Sequence, residues 1–170
     1  YYEILPIESY EFPEEFELID FRKEYLESKS DLDSFVKKCD VIVHLAAMNR
    51  HESEQFIYET NVRLAKDIVS SLERTNSQAH VLISSSSQEE RGNLYGKSKK
   101  EGREALVEWA NKNGGKVTGL IIPNVFGPFG KPFYNSFVAT FCHQLTHGEI
   151  PNVANDGEVK LIYVQELVDL

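Results

Sequence analysis

The stretch Asp40-Val-Ile-Val-His-Leu-Ala-Ala-Met48 is a nearly continuous apolar run, and its first half is rich in β-branched residues. Such a run predicts a strand buried on both faces, which is typical of a parallel sheet. Two small residues, Ala46 and Ala47, stand near its end. Small side chains at this place would let a flat ligand approach the backbone, but a tight turn after the strand explains them equally well.

Strand and helix patterns alternate on both sides of this run. The periodicity predicts further strands at 1–7, 16–21, 80–84, 116–122 and 159–164. It predicts helices at 31–38, 54–74, 96–113 and 135–146, another beginning at Gln165, and loops at 8–15 and 123–128. Ser30-Asp31 is the expected start of the first helix, and Gly114-Gly115 the expected stop of the third. The alternation predicts an α/β fold, a Rossmann-like doubly wound parallel sheet with helices on both faces.

Composition narrows the classes of protein to consider. The chain has 170 residues, enough for one domain, and a net charge of -9 with its basic residues scattered. Nucleic-acid binding needs clustered Lys and Arg, so it is not expected. No apolar run is long enough to cross a bilayer and no signal peptide is evident, so no membrane association is expected. Cys39 and Cys142 are predicted to be free thiols, which favours the cytoplasm.

His143 and His147 are spaced i,i+4, a separation that can hold a metal ion on one helix face. However, no Glu follows His143 as in the zinc-protease motif, and no third ligand is evident. We therefore expect no metal site.

The motif Tyr95-Gly-Lys-Ser-Lys99 follows a run of four serines, 84–87. On a helix, Tyr95 and Lys99 would share a face, and the ammonium would lower the pKa of the phenol. Tyr95 could then exchange a proton with a carbonyl/alcohol couple while a serine hydroxyl holds the same oxygen. The spacing alone also occurs by chance on exposed helices.

The surrounding sequence supplies further polar and small residues at the same place in the fold. Ala46-Ala47, the serine run and the Pro123-Asn124 loop all follow predicted strands, and Tyr95 opens a helix beside them. Ligands of open parallel sheets bind beyond the carboxyl ends of the strands. These features together predict a ligand site at that edge.

In this order, the motifs resemble the extended short-chain dehydrogenase/reductase family of NAD-dependent nucleotide-sugar epimerases, dehydratases and reductases. The matching segments are residues 40–47, 60–62, 83–86, 95–99, 123–128 and 162–168. Asn49-Arg50, the short connection from the serines to Tyr95, and residues 131–142 are similar to one branch of the family. That branch contains bacterial capsular-polysaccharide enzymes that reduce a UDP-linked 2-acetamido-2,6-dideoxy-4-keto-hexose.

The resemblance implies three catalytic residues. Tyr95 would be the acid/base and would also contact the cofactor. Lys99 would be its electrostatic partner and a contact of the cofactor ribose. Ser86 would bond the substrate oxygen. In this chemistry hydride leaves the cofactor while the phenol protonates the developing alkoxide.

The resemblance also implies a set of binding residues. Leu45, Ala46 and Ala47 would line the dinucleotide groove, and Asp20 would meet the adenine. Asn61 would order the proton path or the cofactor. Pro123 would lie near the nicotinamide, and Asn124 would contact the nucleotide-sugar.

The sequence departs from the family pattern in three ways. The glycine-rich turn that seats a pyrophosphate is missing, as if the chain began at the second strand. The later substrate-binding segments are missing after Leu170, so residues 1–170 are expected to be a partial NAD(P)-binding Rossmann domain. No Asp-Glu pair follows the serines, which weakens a dehydratase assignment.

These observations predict an NAD(P)-dependent oxidoreductase or epimerase acting on a nucleotide-activated sugar, with reduction favoured. Glu8 could bind a ribose hydroxyl and so favour NAD, whereas the narrower resemblance favours NADP. The alternatives are a non-catalytic dinucleotide sensor or scaffold, and a generic α/β domain. A homodimer is expected, because helices 54–74 and 96–113 resemble the pair that forms a four-helix interface in the family.

Overall fold

The computed structural model describes residues 16–153 and 156–169. Its described residues fall into two compact units, one of residues up to Ile121 and one from Ile122 onward. The predicted strand at 1–7, the loop at 8–15 and Glu8 lie outside the described residues.

The larger unit contains three strands and three helices. In chain order these are α1 (Lys29–Val36), β1 (Val41–His44), α2 (Glu54–Thr75), β2 (His80–Ser86), α3 (Leu94–Asn113) and β3 (Lys116–Ile122). Two 3₁₀ turns, Lys23–Leu26 and Ser87–Glu90, precede α1 and α3 respectively. The long helices and the strands at 80 and 116 are confirmed close to their predicted bounds.

The sheet of this unit has the order β1-β2-β3. β1 and β2 are parallel, with Val41 opposite His80 and His44 opposite Ile83. The core lies between the sheet and the three helices and consists of Leu32, Val36, Ile42, Ile68, Leu72, Ala79, Val81, Ile83, Leu106 and Trp109. The predicted α/β class with parallel pairing is confirmed.

β1 differs from its prediction in length and in burial. It ends at His44, and only Ile42 and His44 are buried, whereas Val41 is 50% and Val43 59% exposed. The expectation of a strand covered on both faces is wrong for the described residues, because their helices pack against one face only. Continuous apolarity in the sequence therefore did not mean continuous burial here.

The start of the larger unit also corrects the sequence analysis. Residues 16–21 form no strand, and Phe21 instead packs edge-on against Tyr25 and Phe35. The first helix starts earlier than predicted because Ser28, and not Ser30-Asp31, caps it: Ser28 Oγ accepts a bond from Asp31 N at 3.3 Å.

Helices α2 and α3 pack closely along their length. Each begins at a side-chain cap, since Ser53 Oγ accepts from Phe56 N and Asn93 Oδ1 accepts from Gly96 N. α3 stops at Gly114, whose φ of 72° is the left-handed value that glycine adopts without strain, as predicted. A Cβ added at Gly102 would lie 3.0 Å from the Ala65 Cβ, so two small residues permit the close approach.

The smaller unit contains β4 (Asn124–Phe126), α4 (Phe137–Thr146), β5 (Leu161–Tyr163) and α5 (Val164–Val168). β4 and β5 are parallel, with Asn124 opposite Leu161. The predicted loop at 123–128 is therefore wrong over β4, where pairing with β5 makes the chain extended. Within the described segments, no helix combines the length and apolar character that a membrane crossing needs.

Candidate active site

Tyr95 and Lys99 both lie in the first turns of α3, in positions that the Asn93 cap fixes. Tyr95 is half-buried, whereas Lys99 is only 6% exposed. A lysine buried to this degree at the start of a helix is uncommon unless a binding partner needs its charge. The predicted i,i+4 pair is therefore present on one helix, with the Lys99 side chain largely buried.

Ser86 is the last residue of β2 and caps the Ser87–Glu90 turn. Its Oγ accepts a bond from Gln88 N at 3.2 Å, and the residue is nearly buried. A hydroxyl that accepts from a backbone N–H keeps its own proton for donation. Ser86 can therefore still donate to a substrate oxygen, as its predicted role requires.

The turn after Ser86 packs directly on the start of α3. A Cβ on Gly96 would overlap the Gln88 carbonyl, so only glycine lets the two backbones approach this closely. Asn93 Nδ2 also donates to Gln88 Oε1 at 3.2 Å. The glycine between Tyr95 and Lys97 thus has a structural cause, because it seats the helix against the turn.

A small cavity lies between β1, β2 and the two long helices. Its lining is a mixture of small, polar and buried charged residues, namely His44, Ala46, Ala47, Asn61, Ala65, Ile83, Ser98, Lys99 and Gly102. The structure therefore brings four predicted site residues together here: Ala46, Ala47, Asn61 and Lys99. Leu45 is exposed outside this lining, and Ser86 and Tyr95 do not contribute to it.

Asn61 is nearly buried and joins three segments of the larger unit. Its Oδ1 accepts from Met48 N at 2.6 Å, while its Nδ2 donates to Met48 O at 2.9 Å and to Ser98 Oγ at 3.1 Å. Ser98 Oγ in turn donates to Tyr95 O at 2.7 Å. Both amide protons are used, so Asn61 fixes the loop after β1 relative to α3.

Burial is the main cause of the pKa shifts of the cavity residues. It lowers the pKa of Lys99, although the Glu89 carboxylate acts in the opposite direction. It also lowers the pKa of His44 to about 4, with a smaller contribution from the Lys99 charge. Among the described residues the Lys99 ammonium has no hydrogen bond or ion pair, which leaves its donors available to a ligand.

The pKa of Tyr95 shifts in the direction opposite to the prediction. Burial raises it, and the Lys99 ammonium does not offset that effect. The reason is the placement of the two side chains: Lys99 lines the cavity with His44, whereas Tyr95 does not. The expected lowering of the phenol pKa is therefore wrong for the protein without ligands.

Several residues that shape this site were not predicted from the sequence. Glu89 accepts two bonds from Arg103, at 2.9 and 2.7 Å, and a further bond from Ser85 Oγ. His44 and Ser98 lie inside the quoted motifs, but their spacing gave no role. Glu89 and Arg103 stand 14 positions apart, and no pattern in the sequence connects them.

The remaining predicted residues lie elsewhere. Asp20 is exposed in the irregular segment before the first 3₁₀ turn. Pro123 and Asn124 are half-buried at the start of β4, in the smaller unit. Their roles toward a cofactor or substrate stay predictions.

His143, in the last turn of α4, and His147, which directly follows the helix, lie next to each other. Their rings stack at a centroid distance of 4.0 Å, and His147 Nδ1 lies 2.8 Å from the His143 carbonyl oxygen. In the part of the chain that the structure describes, no three His, Cys, Asp or Glu side chains cluster as a metal site would require.

Comparison with known proteins gives one family. The model described as "NAD dependent epimerase/dehydratase family" matches residues 2–170. The chain is 33% identical over 154 residues to a UDP-2-acetamido-2,6-beta-L-arabino-hexul-4-ose reductase of Pseudomonas aeruginosa. That match covers 89% of this chain but 41% of the reductase, so the chain spans less than half the length of this curated relative.

Solved structures agree with this match. The capsular polysaccharide assembling protein CapF of Staphylococcus aureus is 33% identical, with a TM-score of 0.66 over 84% of this chain and 37% of that protein. A UDP-glucose 4-epimerase of Thermotoga maritima is 20% identical, with a TM-score of 0.75 over 85% of this chain and 55% of that one. The second likeness bears on the fold alone, and it confirms the predicted Rossmann-like α/β architecture.

Proposed function

The chain belongs to the NAD-dependent epimerase/dehydratase family, and we propose that the protein containing it is an NAD(P)-dependent reductase of a nucleotide-activated sugar. The substrate class that we propose is a UDP-linked 4-keto-6-deoxy amino sugar used for bacterial surface polysaccharide. The 33% identity to a UDP-4-keto-sugar reductase and the likeness to CapF support this choice.

The observation that carries the proposal is the placement of Lys99. The Lys99 side chain is only 6% exposed and its ammonium has no hydrogen-bond partner among the described residues, while the Glu89 charge offsets only part of the effect of burial. Ribose hydroxyls and a developing phenolate are suitable partners for such a cation. Small residues, Ala46 and Ala47, line the same cavity and leave room for a ligand.

Each of the three catalytic side chains has a defined task in this reaction. Tyr95, whose pKa burial raises, is protonated near neutral pH and can give its proton to the ketone oxygen. Lys99 stabilises the phenolate that remains, and the Ser86 hydroxyl donates to the same substrate oxygen. A bound nicotinamide dinucleotide supplies the hydride.

Family membership supports a nicotinamide dinucleotide as the cofactor, and we propose NADP as the preferred form. Leu45, Ala46 and Ala47 would border it, with Asp20 near the adenine and Pro123 near the nicotinamide. Asn124 would contact the nucleotide-sugar. We further propose a cytoplasmic homodimer that associates through α2 and α3.

A second candidate is a nucleotide-sugar 4-epimerase. The family description favours it, and the same tyrosine and lysine would serve, because an epimerase also passes through a 4-keto sugar. A non-catalytic dinucleotide sensor is a third candidate, although the retained set Ser86, Tyr95 and Lys99 argues against it.

One experiment on the full-length protein distinguishes the three. Oxidation of NADPH and of NADH is followed with a UDP-linked 4-keto-6-deoxy amino sugar, and the corresponding 4-hydroxy sugar is incubated in parallel. The sugar products are identified by NMR, which distinguishes 4-epimers of equal mass, and dinucleotide binding is measured by fluorescence. A reductase consumes dinucleotide and forms the 4-hydroxy sugar in equal amounts. Interconversion of 4-hydroxy epimers without net dinucleotide consumption identifies an epimerase, and dinucleotide binding without turnover identifies a sensor.

A further inference from the structure

A buried ion pair connects the Ser87–Glu90 turn to α3. Arg103 donates to both carboxylate oxygens of Glu89, through Nε at 2.9 Å and Nη2 at 2.7 Å. The Glu89 side chain is 6% exposed and that of Arg103 22%. Removing two charges from water costs free energy, and in some proteins such a pair is retained because it fixes a conformation.

Neighbouring residues restrain the Glu89–Arg103 ion pair. Ser85 Oγ, on the strand that leads into the turn, also donates to Glu89. The stem of Arg103 passes over β3, where a Cβ added at Gly119 would lie 2.6 Å from Arg103 Cδ. These bonds lower the pKa of Glu89, so the carboxylate is ionised and is held by Arg103 and Ser85.

The turn is held at its other side as well. Gln88 packs against Gly96 through its backbone and accepts a bond from Asn93 through its side chain. The turn begins immediately after Ser86, whose hydroxyl caps it. The contacts of Glu89 and of Gln88 therefore both fix the short connection between Ser86 and Tyr95.

We propose that Glu89 and Arg103 are positioning residues, whose ion pair holds the Ser87–Glu90 turn against α3 and so fixes the Ser86 hydroxyl relative to Tyr95 and Lys99. The roles of those three side chains rest on the proposed function, whereas the restraint of the turn is a property of the fold itself. Neither Glu89 nor Arg103 touches the reacting atoms.

The test uses Arg103→Met in the full-length protein, because this change leaves the sequence of the turn unaltered. Methionine keeps an apolar stem over Gly119 and removes the guanidinium. Lys112→Met is the matched control, since Lys112 is exposed at the other end of the same helix and pairs with Glu108 at 2.7 Å. The double variant Glu89→Gln/Arg103→Met avoids a buried unpaired carboxylate, should the single variant fail to fold.

Two readouts are needed. Hydrogen exchange followed by mass spectrometry reports opening of the turn, where Arg91 N donates to Gln88 O at 2.9 Å. Ketosugar kinetics report the position of Ser86. We expect exchange at 87–91 to quicken about tenfold in the folded Arg103 variants, and kcat to fall roughly ten- to a hundredfold with little change in KM. Lys112→Met should change neither.

The possible results separate this inference from the proposed function. Unchanged exchange in a folded Arg103 variant overturns the inference whatever the activity. Faster exchange with unchanged kcat overturns the positioning role. If the wild-type protein reduces no ketosugar, the proposed function fails, and the exchange result alone decides whether the ion pair restrains the turn.

Discussion

The Asn61 side-chain nitrogen lies 3.1 Å from the Ser98 hydroxyl oxygen, and this contact joins α2 to the first turns of α3. The same side chain bonds both the N–H and the C=O of Met48. One amide thus fixes the loop that leaves β1 and the helix that carries Tyr95 and Lys99. The position of the cavity depends on a residue that the resemblance assigned to the cofactor or proton path.

Replacing Asn61 with Ala should destabilise the fold. The change removes three hydrogen bonds, two of them to the half-buried backbone of Met48 and one to Ser98, which should lower the free energy of unfolding by about 3 kcal/mol. Urea denaturation measures it. Gln55→Ala is the control on the same helix, because Gln55 makes an exposed bond to Glu59 and should cost only about 0.5 kcal/mol. Equal losses would contradict the joining role of Asn61.

Tyr95→Phe should abolish ketosugar reduction and leave dinucleotide binding intact. The variant loses the proton donor, so we expect kcat to fall at least about a hundredfold. Tyr58→Phe is the matched control, since it also removes a tyrosine hydroxyl, one that donates a hydrogen bond to Glu101 between the two long helices. NADPH oxidation and NADPH fluorescence measure the two properties. Comparable loss of turnover in both variants would argue against a special role for Tyr95.

Lys99→Met should stabilise the protein while it removes turnover. Burial holds the pKa of Lys99 below its unfolded value of 10.5, so the unfolded chain binds the proton more tightly. Stability therefore increases with pH between the folded and unfolded pKa values, and at neutral pH the buried ammonium is a cost.

We expect the Met variant to have a higher free energy of unfolding than the wild type at pH 7 and to lose the alkaline increase. Urea denaturation across pH measures both. Lys97→Met, at an exposed neighbouring position, should stay within about 0.5 kcal/mol of wild type. A loss of stability in Lys99→Met would mean that the ammonium already has a favourable partner.

Much of the fold could be predicted because local signals were strong. The periodicity of α2, the Gly114 stop of α3 and the strands β2 and β3 are properties of short segments, and the structure confirms them. The predictions failed where contacts between distant segments of the chain determine the local structure. Residues 16–21 have strand-like composition but no strand, and Asn124–Phe126 becomes a strand only because β5 pairs with it.

In the candidate site, too, local features could be predicted from the sequence and long-range contacts could not. The Tyr95 and Lys99 spacing and the small Ala46-Ala47 pair were visible in the sequence, because one element carries each. The Glu89–Arg103 ion pair and the bonds of Asn61 join residues far apart in the chain, and no short motif records them. The direction of the Tyr95 pKa shift was mispredicted, because the spacing shows only that Tyr95 and Lys99 share a helix. It does not show what surrounds the phenol hydroxyl.

His44 should make the protein less stable in mild acid. Its pKa is about 4 in the folded protein against 6.5 when unfolded, so the unfolded chain binds more protons between these values. Stability should therefore fall as the pH decreases from 6.5 to 4, by up to about 3 kcal/mol. Urea denaturation at several pH values measures the slope.

The matched variants are His44→Gln and His51→Gln, the second at an exposed position before α2. His44→Gln should flatten the dependence in this range, because the imidazole that must gain a proton is gone. His51→Gln should leave it in place. A slope that persists unchanged in His44→Gln would assign the acid sensitivity to another group.

Gly96→Ala should damage the site through the backbone alone. A Cβ at this position would overlap the Gln88 carbonyl oxygen and lie 2.6 Å from its carbon, so the turn after Ser86 or the start of α3 must move. We expect a loss of about 2 kcal/mol in the free energy of unfolding, with reduced ketosugar turnover. Gly92→Ala, in the same connection, has open space within 4 Å and should be nearly neutral. Similar effects from the two alanines would contradict the close approach of turn and helix on which the placement of Ser86 depends.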